Sequence, residues 1–133
     1  MPRHTERTRT LAQALARHLV RVTAVAALAA SGAAAAAEEL RPAESRDDDD
    51  DDLKSLDGAL RRATEKVLSS PPEGEDRALM ILLAAREAVA LAAVDEPEPR
   101  HTAALLENAG IVEHLAAEAD TLLWHVDDDP PRR

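Results

Sequence analysis

The sequence predicts an all-α protein, a small helical bundle with an acidic linker, and three observations carry that prediction. Of 133 residues, 29 are alanine and 18 are leucine, both strong helix formers. Phe and Tyr are absent and Trp124 is the sole aromatic residue, which removes much of what strands prefer. Apolar residues also recur at steps of three and four in several segments, the period of a helix with one covered face. A chain of this length has room for one modest core, and alanine buries little surface, so each helix has only a weak drive to pack.

The first segment admits three readings, a secretory leader, a retained helix and, from its arginine-rich, acid-poor composition, an organelle transit peptide. Arg3, Arg7, Arg9, Arg17 and Arg21 precede an uncharged stretch of sixteen residues, Val22 to Ala37, which ends in small residues. That is the order of a secretory signal peptide covering 1–37, with cleavage after Ala37. Alternatively the segment is a retained first helix, with an apolar stripe through Leu11, Leu15, His18, Val22, Val25, Ala29, Ala33, Ala36 and Leu40. Export is favoured over a cytoplasmic location, and three helices are expected, or four if this segment stays. Mostly alanine, the uncharged run is too short and too weakly apolar for a stable membrane span.

Residues 38–52 include six consecutive aspartates, Asp47 to Asp52. Their mutual repulsion predicts a solvated, disordered linker. An EF-hand loop counted from Asp47 needs glycine at its sixth position and glutamate at its twelfth, where the chain has Asp52 and Gly58. Asp51 and Asp52 are placed to cap the next helix.

That helix is expected over Leu53–Ser69, with Leu53, Leu56, Leu60, Ala63 and Val67 inward and an Arg61–Glu65 pair outward. Pro71 and Pro72 end it. Ser70-Pro71-Pro72-Glu73 then has the spacing of a capping box, with Asp76 after Gly74 as the other start. The following segment, Arg77–Val94, is apolar on nearly every face, broken centrally by Arg86 and Glu87. A helix apolar all round needs cover all round. Two neighbours from residues 53–126 are too few, so it must meet the N-terminal helix or a second protein. Pro97 and Pro99 separate it from a last helix, His101 to Trp124, with Leu105, Val112, Leu115, Ala119, Leu122 and Leu123 inward and Gly110 a candidate kink. Trp124 is placed to pack near Leu106, and residues 127–133 form an expected disordered tail.

Chemistry is sparse. There is no cysteine, and the four glycines are isolated, so no phosphate-binding loop is formed. Glu107, His114, Glu118 and His125 share one helical stripe, but residues seven apart stand about 10 Å apart along the axis. Only His114 and Glu118 are close enough to be weak metal candidates. Residues 38–133 hold eleven basic and twenty-five acidic side chains, a balance of −14, which opposes nucleic acid and anionic membranes.

The function expected from sequence is therefore non-enzymatic and cofactor-free. It is association with a protein partner, or homo-oligomerisation, through Leu79, Ile81, Leu82, Leu83, Val89, Leu91 and Trp124. The alternatives are a cytosolic four-helix regulatory protein and, more distantly, a metal-binding protein using His114 and Glu118.

Overall fold

The computed structural model describes the backbone of residues 2–41 and 53–128, with side chains described over 6–41 and 53–119. Among the described residues the chain is all-α, without a strand. Residues 2–30 form a continuous helical rod made of α1 (Pro2–His18), a π-helical turn (Leu19–Ala24) and α2 (Val25–Ala30). A π turn takes up one extra residue without breaking the helix. Here Leu19 and Val20 are both buried at it, while Val22 is turned outward.

The rod ends because glycine permits it to. Gly32 has φ +82°, a left-handed conformation that costs a residue with a Cβ about 1–2 kcal/mol. The Ala33 N–H donates to the Leu28 carbonyl (2.8 Å) and the Gly32 N–H to that of Ala29 (3.1 Å). These are the paired bonds of a Schellman cap. The chain then forms α3 (Ala34–Leu40). The expectation of three or four helices omitted this piece, because a run of five alanines carries no face from which a reversal can be read. Glu38, Glu39 and Leu40, assigned to the linker, are the last turn of α3.

The rod's inward face differs from the expected stripe. Ala12, Ala16, Leu19, Val20, Ala24, Ala27 and Leu28 are buried, whereas Leu11, His18 and Val22 are exposed. Small side chains on the contact let helix axes approach closely, so the alanines face inward. A pattern read from the larger residues misplaces the face by one position.

α4 spans Leu53–Ser69, as expected, and buries Leu56, Ala59, Leu60, Ala63 and Val67, with Leu53 packed at the edge. Arg61 pairs with Asp57 (3.1 Å) and not with Glu65, again a one-turn pair. The proposed caps Asp51 and Asp52 lie outside the described residues. α5 is Glu75–Ala92, with Gly74 as its N-cap and Glu75 and Asp76 in the first turn, where carboxylates favour the helix dipole. The capping box at Ser70 is not formed, because the Ser70 N–H continues α4 by donating to the Lys66 carbonyl (3.0 Å).

α6 runs from Pro99 to Asp128 without interruption at Gly110. Pro99, expected as a breaker, is the first residue of this helix, where proline's missing N–H costs nothing. The Glu98 N–H donates to His101 Nδ1 (2.9 Å), so histidine takes the role that glutamate has in a capping box. Leu105, Val112, Leu115 and Ala119 are buried as expected; the side chains of Leu122, Leu123, Trp124 and His125 lie outside the described residues.

The rod lies against α5 and α6, α4 packs on α5, and α3 fits between the rod and α4. One apolar cluster runs through all of them. Polar ties fix the joints: Arg9 donates to the Asp95 carbonyl in the α5–α6 connection, and Arg62 pairs with Glu39 (3.0 Å) across α4 and α3.

Candidate functional site

The expected interface on α5 is divided by the fold. Ile81, Leu82 and Val89 are buried inside the single chain, Leu79 and Leu91 are half-buried, and Leu83 is 65% exposed. Trp124, the seventh residue, has its side chain outside the described residues. The physical reason is the rod, which supplies a third neighbour for α5 beside α4 and α6. Most of the apolar circumference that two neighbours would leave bare is covered by residues 2–30.

What stays bare is the side of α5 turned away from the rod. Met80 (52% exposed) and Leu83 lie three residues apart, hence on one stripe. The antiparallel seam with α6 is marked by Arg77 Nη2, 3.4 Å from Glu118 Oε1. Ile111, 45% exposed, lies seven residues before Glu118 on the same stripe of α6. Met80 and Leu83 therefore lie on the exposed side of α5, and Ile111 lies on the exposed edge of α6. Sequence reasoning selected Leu83 but missed Met80 and Ile111. For Met80 the signal is an apolar side chain on the side of α5 opposite the buried alanines Ala78, Ala85 and Ala92.

The metal candidates do come together as a pair: His114 Nε2 is 3.1 Å from Glu118 Oε2. Both are exposed, and Arg77 takes the other carboxylate oxygen. A cation beside a carboxylate competes with a metal ion for it. Among the described residues no three His, Cys, Asp or Glu side chains converge on a common point, and His125 lies outside them. The arrangement is a surface ion network, capable of orienting α6 on α5.

Glu6–Ala30, with mean hydropathy 1.2 over its most apolar window, is long and apolar enough to cross a membrane by length and composition, and 39% of that window is buried in the fold. The peptide bond after Ala37, the expected cleavage point, is inside α3, and Ala37 itself is buried.

No protein-family model, curated protein or solved structure matches this chain.

Proposed function

We propose that this chain is a non-enzymatic helical bundle that acts by self-association through the outer side of α5, with residues 2–40 retained as a working part of the bundle. The carrying observation is the exposure of four large apolar side chains on these two helices, Met80 and Leu83 on α5 and Leu106 and Ile111 on α6. Apolar side chains of this size grouped on one surface favour removal from water. Two copies related by a two-fold axis can lay the same stripe of α5 against itself, each contributing identical residues. The net charge of −10 for the whole chain keeps the unpaired form soluble and disfavours nucleic acid.

Sedimentation of the full chain over a concentration series tests this reading. The average mass should rise with concentration for the native sequence and stay at the monomer value for Leu83→Glu. A native chain that remains monomeric throughout removes the proposal.

A second reading is favoured by the apolar length of Glu6–Ala30: residues 1–37 direct export and are then removed, leaving the α5–α6 face open to a partner. The intact mass of the protein from its source decides between the two. A first residue at Glu38 selects the second reading, and the presence of residues 2–37 selects the first.

A further inference from the structure

From Leu11 to Ala29 the rod exposes six side chains, Leu11, Ala14, His18, Val22, Ala26 and Ala29. They follow one another at steps of three or four, and form one stripe about 27 Å long at the helical rise. Three consecutive steps of four, from Ala14 to Ala26, would each drift by about 40° around a regular α-helix. The π turn over Leu19–Ala24, with bonds that span five residues, makes room for the longer steps and keeps the stripe straight.

The outward side of a helix on a protein surface is normally polar. Here five of the six side chains are apolar, and Leu11 and Val22 are 52% and 54% exposed. The inward side is apolar as well, built from alanines with Leu19, Val20 and Leu28. The fold thus covers one apolar side of the rod and leaves the other bare.

Charge narrows what can cover it. No acidic residue lies between Glu6 and Glu38, whereas Arg7 is exposed just before the stripe and Arg17 is half-buried along its flank. A second rod laid on this side would set like charges against each other. Protein partners are held mainly through aromatic anchors, and the stripe has none. A transmembrane course would place Arg17 and Arg21 near the middle of Glu6–Ala30, where charge is costly, and would strip the core of Leu19, Val20 and Leu28. Lying flat at a lipid surface avoids both, because arginine stems stay among apolar groups while their heads reach the phosphates.

We infer that the rod is a membrane-surface element: the folded chain lies on an anionic bilayer, with Leu11 and Val22 entering the headgroup boundary and Arg7 and Arg17 meeting lipid phosphates. The negative excess of residues 38–133 is screened beyond about 10 Å at 0.1 M salt, so the charges nearest the bilayer decide. The inference rests on retention of residues 2–40 but not on the α5 surface.

Cosedimentation of the full chain with vesicles of equal parts phosphatidylglycerol and phosphatidylcholine tests it, with pure phosphatidylcholine as the neutral arm. The anionic vesicles should be bound at least about tenfold more tightly, and Arg7→Gln with Arg17→Gln should remove that preference. Leu11→Ser with Val22→Ser should weaken binding by about tenfold, through lost apolar burial, and leave the thermal midpoint unchanged. Leu83→Glu should bind as the native chain does, which separates this surface from self-association. A wash in about 1 M salt should release the protein. No binding at a lipid concentration that retains a singly myristoylated peptide, equal binding to neutral vesicles, or undiminished binding of the serine variant overturns the inference. So does loss of binding by Leu83→Glu, which moves the contact to α5, or retention through the salt wash, which makes the rod a span.

Discussion

Arg21 Nη1 donates to the carbonyl oxygen of Leu40 across 2.6 Å, in a part-buried position. This joins the π turn of the rod to the last residue of α3, nineteen positions along the chain. The last carbonyls of a helix have no intrahelical partner, and a cation there also meets the negative end of the helix dipole. An arginine that reads as the close of a basic leader thus has a structural role within the fold. Arg21→Met should lower stability by about 1.5–3 kcal/mol, the range for a hydrogen bond to a charged group. Thermal unfolding followed at the helical circular dichroism band measures it; an unchanged midpoint would show that α3 is held without this bond, by its apolar face and the Arg62–Glu39 pair.

Gly74 and Gly110 should respond in opposite directions to the same substitution. A Cβ on Gly74 would lie 2.7 Å from the Ser31 carbonyl oxygen, to which the Gly74 N–H also donates (3.2 Å). Backbone has to move, so Gly74→Ala should be destabilising by about 1–3 kcal/mol, the usual cost of overpacking. A Cβ on Gly110 meets no atom within 4 Å, inside a continuous helix. Gly110→Ala should therefore stabilise by about 0.5–1 kcal/mol. Chemical denaturation of both variants checks the pair of signs.

Leu82 and Leu83 are neighbours in sequence with different surroundings, 1% and 65% exposed. Leu82→Ala should cost about 2–5 kcal/mol, as for other buried leucines. Leu83→Ala should change monomer stability by less than about 0.5 kcal/mol. Equilibrium unfolding at a concentration where the chain is monomeric separates the two. A large loss at Leu83 would mean that its side chain is covered in the monomer.

The extent to which the fold was legible follows from side-chain size. α4 was read at its observed limits because leucine and valine mark one face and Pro71 and Pro72 mark the end. α5 and α6 were read within a few residues for similar reasons. The rod was not, because in Ala24 to Ala37 ten of fourteen positions are alanine, and a face made of alanine has no contrast with its surroundings. Gly32 gave a local signal, a poor residue for a helix interior, but the Schellman cap also needs the bonds to Leu28 and Ala29. At the candidate surface, Leu83 was legible and Met80 and Ile111 were not. Which side of an all-apolar helix remains open depends on where a third neighbour docks, and that is a tertiary fact.

Removal of residues 1–37 is the most demanding test of the packing. The rod and α3 contribute Leu19, Val20, Leu28 and a series of buried alanines to the shared apolar cluster. Burying a leucine or valine is worth about 1.5–3 kcal/mol. Three such residues approach the total stability of many small domains, about 5–15 kcal/mol. The loss is larger than their own burial, because Ile81, Leu82, Leu105 and Val112 belong to the same cluster and would lose cover. A chain beginning at Glu38 should therefore keep helical circular dichroism, lose cooperative thermal unfolding and bind a hydrophobic dye, as compact states without fixed packing do. Adding a peptide of residues 2–37 in trans should restore the cooperative transition. If the shortened chain instead unfolds cooperatively as a dye-free monomer, α4, α5 and α6 form a sufficient core by themselves, and the rod is an accessory to it.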